Sequence, residues 1–156
     1  MLYLFDLDGT LITSYMDNPN RDYHTWQPLP GRGRRIRELR GAGHVVGIVS
    51  NQAGVAFGLI AERDWDEKIF EVCQRLGIDQ DAIYVCFADA RSKDARYRDL
   101  REIVRRKPSG AMIREAMARW AYGPEQTIYV GDRHEDQGAA RDAGVRFEWA
   151  DHFFGG

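Results

Sequence analysis

Residues Leu2–Ile12 have the sequence "LYLFDLDGTLI". Apolar and aromatic side chains predict a buried strand over Leu2–Phe5, and two aspartates, Asp6 and Asp8, follow directly at its end. Because side chains alternate between the two sides of an extended chain, both carboxylates point the same way. Two carboxylates held side by side repel each other, so the pair requires a nearby positive charge to stay ionised.

Length and composition favour one domain of an ordinary globular protein over residues 1–156. The formal net charge of −2 argues against binding nucleic acid over the whole surface. No apolar run approaches the roughly 20 residues that cross a bilayer, and the first residues do not resemble a signal peptide. Cys73 and Cys86 match no disulfide or zinc pattern, so we expect two buried thiols in a reducing, cytoplasmic location. The sequence leaves the oligomeric state open.

Apolar periodicity along the chain alternates between the patterns of strands and helices. Strands are predicted at 2–5, 44–52, 82–89, 126–132 and 145–150, and helices at 30–43, 62–78, 109–123 and 136–144. The polar residues 13–29 contain two prolines and are predicted to form a loop. Strands that alternate with helices favour right-handed crossovers. The sequence therefore predicts an α/β fold, a Rossmann-like three-layer sandwich with a central parallel sheet.

Three of the predicted strands end in polar residues: Asp6 with Asp8, Ser50 with Asn51, and Gly131 with Asp132. Ligands of open α/β sheets bind at the carboxyl ends of the strands, so we expect these residues to meet. A divalent cation would relieve the repulsion between carboxylates, and Mg²⁺ suits carboxylate and phosphate oxygens. Asp136 lies one helical turn after Asp132. It either binds such an ion, directly or through water, or serves as an acid in the first turn of a helix.

Four motifs occur in a fixed order: "DLDGT" at 6–10, "SN" at 50–51, the lysine of "KPSG" at 107–110, and "GDRHED" at 131–136. In this order and spacing they resemble the haloacid dehalogenase superfamily of phosphatases. The resemblance extends from Leu2 to about Val145. It implies phosphomonoester chemistry, because members that carry an acid two residues after the nucleophile are phosphatases or phosphotransferases.

The resemblance also implies roles for individual residues. Asp6 would attack phosphorus to give an aspartyl-phosphate, and Asp8 would protonate the leaving oxygen and then activate water. Ser50 would hydrogen-bond the phosphoryl oxygens, and Lys107 would neutralise charge on the nucleophile and the phosphate. One Mg²⁺ would be the cofactor, bound by Asp6, by the backbone carbonyl of Asp8, and by Asp132 with Asp136.

Two longer segments, "SNQAGVAFG" and "RRKPSGAM", resemble a small, minimally capped branch of the superfamily. That branch includes histidinol-phosphate and heptose-bisphosphate phosphatases and the 3′-phosphatase domains of polynucleotide kinases. The resemblance makes Thr10, Asn51, Gln52 and Arg106 candidate substrate-binding residues. The heptose-bisphosphate relatives carry a cysteine and histidine zinc loop before this lysine, whereas Cys86 stands alone here, so no structural zinc is expected.

The span between Asp8 and Ser50 is too short for a separate lid, so no large cap domain is predicted and the site is expected to be open. Aromatic side chains in the loop that follows the first strand have two interpretations. Tyr15, Tyr23 and Trp26 either pack structurally, as aromatic residues mostly do, or lie over a bound substrate.

Three hypotheses about function follow. The leading one is a phosphatase of a small phosphorylated metabolite, a sugar phosphate or a compound like histidinol phosphate. The second is a polynucleotide 3′-phosphatase, in which the arginine-rich stretch 91–106 follows the phosphates of a nucleic-acid end. The alternative interpretation is that these arginines lie on solvent-exposed helix faces, where they pair with neighbouring acids. The third is a non-catalytic binding module, which the intact set of Asp6, Asp8, Lys107 and Asp132 argues against.

Overall fold

A computed structural model of the chain describes residues 1–155. Its centre is a five-stranded sheet in the order β3-β2-β1-β4-β5, in which every neighbouring pair is parallel. The strands are β1 (Leu2–Phe5), β2 (Val45–Asn51), β3 (Ile83–Cys86), β4 (Thr127–Gly131) and β5 (Arg146–Trp149). The strand with the two aspartates at its end, β1, therefore lies in the middle of the sheet, as the predicted α/β fold requires.

Helices cover both faces of the sheet and complete three layers. They are α1 (Arg32–Gly41), α2 (Ala53–Ala56), α3 (Glu62–Leu76), α4 (Leu100–Ile103), α5 (Ala111–Trp120), α6 (His134–Ala143) and α7 (Ala150–Phe154). One apolar core joins the sheet to α1, α3 and α7, and the other joins it to α5 and α6. Leu2 and Leu4 face one core while Tyr3 and Phe5 face the other, as the period of two in a strand dictates. The prediction of a Rossmann-like three-layer sandwich is confirmed.

The amphipathic pattern of α3 gave a correct prediction of its buried face. Trp65, Val72 and Leu76 are buried in the core, as expected from their helical spacing. Three short helices were not predicted. The four residues of α2 directly follow Gln52, α4 lies within the arginine-rich stretch, and α7 follows the last strand and packs Phe153 and Phe154 against the sheet.

The segment between β1 and α1 is a long, ordered connection and not a cap domain. It contains one turn of 3₁₀ helix, Tyr15–Asp17, which Ser14 caps. The backbone N–H of Thr13 donates to the Gln27 carbonyl at 2.9 Å, so the two ends of the loop pair with each other. Trp26 is 8% exposed and belongs to the core, which excludes it as a cover for substrate.

Both cysteines are buried with free thiols, as predicted. Among the helices of residues 1–155, none has the length and apolar character needed to cross a membrane.

Candidate active site

The order of the strands brings the ends of β1 and β4 together. Phe5 pairs with Val130, and the backbone N–H of Asp6 donates to the Val130 carbonyl at 2.9 Å. Gly9 then turns the chain with a φ of 80°, a left-handed conformation that favours glycine. A Cβ at Gly9 would collide with the carboxylate of Asp132. The "DLDGT" turn therefore packs directly on the acid that follows β4.

Three carboxylates converge at this edge of the sheet. Oxygens of Asp6, Asp132 and Asp136 lie within 4.8 Å of one another. Asp6 and Asp136 are buried and Asp132 is exposed. The sequence predicted all three as metal ligands, and the fold brings them into one cluster although Asp6 and Asp132 are 126 positions apart along the chain.

Lys107 places one ammonium group in contact with this cluster. The side chain is 2% exposed, and its Nζ donates to Asp6 Oδ1 at 2.9 Å and to Asp136 Oδ1 at 2.6 Å. It also donates to the hydroxyl of Tyr129 at 2.9 Å. Burial alone would lower the pKa of Lys107, but the two carboxylates outweigh it and raise that pKa above its usual value.

The acids of the cluster have perturbed protonation equilibria. Burial raises the pKa of Asp6 to about 7, against the opposing attraction of Lys107. Burial also raises the pKa of Asp136. The pKa of Asp132 is raised as well, because protein covers part of its carboxylate although the residue as a whole is exposed, and because Asp136 repels its charge. Three carboxylates share one ammonium, so the cluster carries two surplus negative charges when all of its groups are ionised. Such a site favours a divalent cation.

Asp136 has both of its carboxylate oxygens occupied by hydrogen bonds. Oδ1 accepts from Lys107 and lies 3.1 Å from the Tyr129 hydroxyl. Oδ2 accepts from the backbone N–H groups of Asp132 at 3.2 Å and Arg133 at 3.1 Å, at the N-terminus of α6. Asp136 therefore fixes Lys107 and the loop after β4 at the same time.

Thr10 and Asn51 contact catalytic candidates. Asn51 lines the pocket, whereas Thr10 is 0% exposed and does not, which argues against the predicted contact of Thr10 with substrate. The hydroxyl of Thr10 lies 3.4 Å from Asp6 Oδ2 and 3.4 Å from Asp132 Oδ1. The side-chain amide of Asn51 donates to the Lys107 carbonyl at 3.2 Å and accepts from the Lys107 backbone N–H at 3.0 Å. Both residues hold other groups of the site in place.

Gln52 links Asp8 to Ser50. Its Nε2 donates to Asp8 Oδ2 at 2.7 Å and to the Ser50 hydroxyl at 2.8 Å. Ser50 is 1% exposed, and its hydroxyl faces Gln52 and the Asn51 carbonyl. The hydroxyl must leave these partners to reach a phosphoryl oxygen.

A pocket of about 370 Å³ opens in front of Asp6, Asp8 and Lys107. Arg106 lies in its wall, with Nη2 3.6 Å from Asp89 Oδ2. Nη1 of Arg106 is buried and has no hydrogen-bond partner within the part of the chain that the structure describes. Arg91 lies in the same wall and also binds Asp89, at 2.9 Å. One buried carboxylate thus orients two guanidinium groups beside the catalytic candidates.

Aromatic side chains form another wall of the pocket. Tyr15 and Tyr23 stack with ring centroids 4.2 Å apart and planes inclined by 13°. Tyr23 packs so tightly on Gly54 of α2 that a Cβ there would lie 2.6 Å from its ring. The buried ammonium of Lys68 on α3 donates to the Tyr23 carbonyl at 2.9 Å and fixes this part of the loop.

The comparisons with known proteins agree with this geometry. The family model described as polynucleotide kinase 3 phosphatase matches residues 1–155. The chain belongs to this family. It is accordingly a small phosphatase of the haloacid dehalogenase superfamily, a hydrolase of phosphomonoesters.

Two sequence relatives are named D-glycero-beta-D-manno-heptose-1,7-bisphosphate 7-phosphatase. The protein from Rhodopseudomonas palustris is 31% identical over 157 residues, covering 94% of this chain and 82% of the relative. The protein from Haemophilus ducreyi is 28% identical over 147 residues, covering 90% of this chain and 77% of the relative. The D,D-heptose 1,7-bisphosphate phosphatase of B. bronchiseptica, crystallised with magnesium and phosphate, matches with a TM-score of 0.71 and 26% identity. That match covers 94% of this chain and 78% of the solved one.

Several residues of this phosphatase site were not found by sequence reasoning. Tyr129 lies within an apolar strand, where its spacing predicts only core packing. Arg133, the residue before α6, and Glu135, in the first turn of α6, line the pocket, and the charge pattern alone does not distinguish them from ordinary surface. Arg91 also lines the pocket, from the stretch 91–106 for which the sequence offered a phosphate-binding interpretation. Arg133 and Glu135 do lie inside the quoted "GDRHED" motif, which is the one signal that pointed to them.

The arginine-rich stretch 91–106 is largely paired with acids. Asp-x-Arg occurs three times at intervals of five residues, and each aspartate accepts from the backbone N–H and guanidinium of the arginine two positions later: Asp89 with Arg91, Asp94 with Arg96, and Asp99 with Arg101. Arg105 binds Glu102 and Glu115, each at 2.7 Å. Much of the positive charge of this stretch is therefore neutralised within the protein.

Proposed function

We propose that the chain is a Mg²⁺-dependent phosphatase that transfers the phosphoryl group of a small phosphorylated metabolite to Asp6 and then to water. The observation that carries this proposal is the convergence of Asp6, Asp132 and Asp136, two of which bind Lys107, in a cluster with two surplus negative charges. Hard carboxylate oxygens are the ligands that Mg²⁺ prefers, so the residues present fit this ion. Bound Mg²⁺ would neutralise charge on the phosphoryl oxygens.

Asp6 and Asp132 are the carboxylates that we assign to the metal directly. Both oxygens of Asp136 already accept hydrogen bonds, so its role is to hold Lys107 and the start of α6. The backbone carbonyl of Asp8 is the further ligand that the superfamily resemblance implies.

Asp6 is the nucleophile of the proposed reaction. One of its oxygens binds Lys107, while the carboxylate lies in the wall of the pocket. Its attack forms an oxygen–phosphorus bond as the ester oxygen–phosphorus bond breaks, and Lys107 holds the transferring charge in a buried setting where such contacts are strong. Hydrolysis of the aspartyl-phosphate then releases phosphate and restores Asp6.

Asp8 is the general acid and base. Its carboxylate accepts from Gln52 and faces the pocket, outside the cluster of three acids. It gives its proton to the leaving oxygen in the first step and takes a proton from the attacking water in the second. Gln52, which also binds the Ser50 hydroxyl, orients the Asp8 carboxylate. Gln52 was predicted to contact the substrate, and its amide lies beside the oxygen of Asp8 that would exchange the proton.

The walls of the pocket suit a small polar substrate. Its volume of about 370 Å³ accommodates a phosphorylated sugar or a compound of similar size. Arg106 lies in the wall of the pocket with part of its side chain exposed, and we assign it to an anionic or hydroxyl group of that substrate. The curated relatives named above act on a heptose bisphosphate, which supports a sugar phosphate as the substrate class.

A nucleic-acid end is the second candidate, favoured by the description of the matching family. The pairing of Arg91, Arg96 and Arg101 with aspartates weighs against it, because a surface that follows phosphates needs unneutralised charge. A non-catalytic binding module is disfavoured by the intact arrangement of acids around Lys107. A cytoplasmic location and a single domain over 1–156 stay predictions of the sequence.

The test is turnover of p-nitrophenyl phosphate with Mg²⁺ and with EDTA, followed by a panel of sugar phosphates and a 3′-phosphorylated oligonucleotide. We expect Mg²⁺-dependent hydrolysis that Asp6→Asn abolishes, and preference for a sugar phosphate. The matched control is Asp142→Asn, an exposed aspartate outside the pocket. Absence of turnover on every phosphomonoester would refute the proposal, and a strongly salt-dependent preference for the oligonucleotide would refute the substrate class.

A further inference from the structure

Arg32 is a buried charge that the proposed chemistry does not use. It is the first residue of α1 and is 6% exposed, although arginines are rarely buried unless paired. No carboxylate of residues 1–155 lies within ion-pair distance of its guanidinium. Asp151 of α7 attracts this charge only from beyond that distance, while burial lowers the pKa of Arg32. A charge in the interior without a direct ion pair is costly, so the contacts of Arg32 require an explanation.

The guanidinium spans two carbonyls and one aromatic ring. Nε–H donates to the Thr10 carbonyl at 2.8 Å, and Nη1 donates to the Pro30 carbonyl at 3.1 Å. The face of the group lies 4.2 Å from the ring centroid of Phe154 on α7. Phe154 in turn packs on Phe5, the residue before the nucleophile, with ring centroids 5.6 Å apart.

The carbonyl that Arg32 binds belongs to the turn that carries the catalytic acids. Inside that turn the Leu7 carbonyl accepts from the backbone N–H groups of Thr10, Leu11 and Ile12. The Thr10 carbonyl points away from these bonds, and within residues 1–155 its donor is Arg32. The hydroxyl of the same threonine lies between the carboxylates of Asp6 and Asp132.

We propose that Arg32 is a positioning residue for this phosphatase. By holding the Thr10 carbonyl it sets the orientation of the turn, and so the separation of Asp6 and Asp132 that the metal and the phosphoryl group require. The ring of Phe154 packs on the face of the guanidinium whose edge binds the carbonyls, so α7 also supports the site. The inference rests on the proposed function and names a residue outside the motifs of that function.

Arg35 provides a matched control on the same helix. Its guanidinium lies 5.1 Å from the ring centroid of Phe153, the neighbour of Phe154, so it makes the same kind of contact with α7. It pairs with Glu38 at 3.7 Å and makes no hydrogen bond to the 7–12 turn within the described chain. Replacement of Arg35 removes a similar cation–π contact and leaves the turn untouched.

The experiment compares four proteins: wild type, Arg32→Met, Arg32→Lys and Arg35→Met. Two quantities are measured for each protein, at a temperature at which all four are folded. One is the kcat and KM for p-nitrophenyl phosphate, and the other is the dissociation constant of Mg²⁺ by isothermal titration calorimetry. In Arg32→Met we expect kcat to fall about 10- to 100-fold with KM within about threefold, since small misplacements of reacting groups cost this much. We expect the Mg²⁺ constant to rise about tenfold, as for other residues that orient ligands.

Arg32→Lys is expected between wild type and Arg32→Met, because one ammonium cannot reproduce the fork that binds both carbonyls. Arg35→Met is expected within about twofold of wild type in both measurements, since its contact is exposed. A folded Arg32→Met with the wild-type Mg²⁺ constant and kcat would overturn the inference, as would equal losses in Arg35→Met. If Arg32→Met does not fold, a wild-type Mg²⁺ constant in Arg32→Lys overturns it.

The calorimetry separates this inference from the proposed function. A wild-type protein that binds Mg²⁺ but hydrolyses no phosphomonoester refutes the function, and the role of Arg32 is then judged on the Mg²⁺ constants alone. A wild-type protein that neither binds Mg²⁺ nor turns over substrate refutes both.

Discussion

Replacing Asp136 by asparagine tests whether the buried network around Lys107 stabilises the fold. An asparagine keeps the shape but has one acceptor oxygen, whereas Asp136 accepts on both of its oxygens. One orientation leaves Lys107 facing an NH₂ group, and the other leaves the backbone N–H groups of Asp132 and Arg133 without an acceptor. A buried polar group that loses its partner costs about 1–3 kcal/mol, so two such losses amount to about 2–6 kcal/mol.

This cost is measurable as a shift in melting temperature. At about 2–4 °C per kcal/mol for a chain of this length, we expect Asp136→Asn to melt about 4–24 °C below wild type. Removing a negative charge also relieves repulsion with Asp6, so the comparison is made in saturating Mg²⁺, which already neutralises that repulsion.

The control for Asp136→Asn lies on the same helix. Asp142 accepts from the Gly110 backbone N–H at 2.7 Å but its side chain is 52% exposed, so Asp142→Asn is expected to cost less than about 1 kcal/mol. Differential scanning calorimetry of both variants gives the result. If Asp136→Asn melts within the error of Asp142→Asn, the network contributes nothing to the stability and the reasoning is refuted.

Three further variants or conditions follow from the same geometry. Gly9→Ala puts a side chain on a residue with left-handed backbone and brings its Cβ against Asp132. We expect the free energy of unfolding, from thermal melts, to fall by about 1–2 kcal/mol and kcat to fall about 100-fold. An unchanged kcat would contradict this packing. Because the pKa of Asp6 is raised to about 7, protons compete with Mg²⁺ for this carboxylate. The dissociation constant of Mg²⁺, measured by calorimetry, should therefore fall about tenfold from pH 6 to pH 8. A pH-independent constant would show that Asp6 is ionised throughout. A hydrogen bond to Asp22 raises the pKa of His24, so the charged histidine stabilises the fold. In urea unfolding we expect wild type to exceed His24→Gln in free energy of unfolding by less than about 1 kcal/mol. This difference is full below about pH 6.5 and is lost as the pH rises through the raised pKa. An advantage that persists at high pH would mean that the charge on the histidine is not its source.

The amino-acid sequence was sufficient to predict the architecture and the acids that the fold gathers into one cluster. The alternation of strand and helix patterns predicted the parallel sheet, because burial imposes its period within each element. Asp6 and Asp132 were predictable as one cluster, since the carboxyl ends of parallel strands lie on one edge of a sheet. Lys107 follows no strand, and only the superfamily resemblance placed it beside them. The substrate-binding assignment of Arg106 and the hydroxyl contact of Ser50 stay predictions.

What each of these groups touches was decided only by the tertiary structure. Tyr129 reaches Lys107 across the sheet, and Arg32 reaches the Thr10 carbonyl from another helix. Such contacts depend on strand order, helix orientation and the packing of side chains far apart in sequence, none of which has a local period. The same holds for Trp26, an apparently available aromatic residue of a polar loop that the folded chain buries in its core. Local patterns therefore identified the chemistry, while three-dimensional packing determined how that chemistry is held in place.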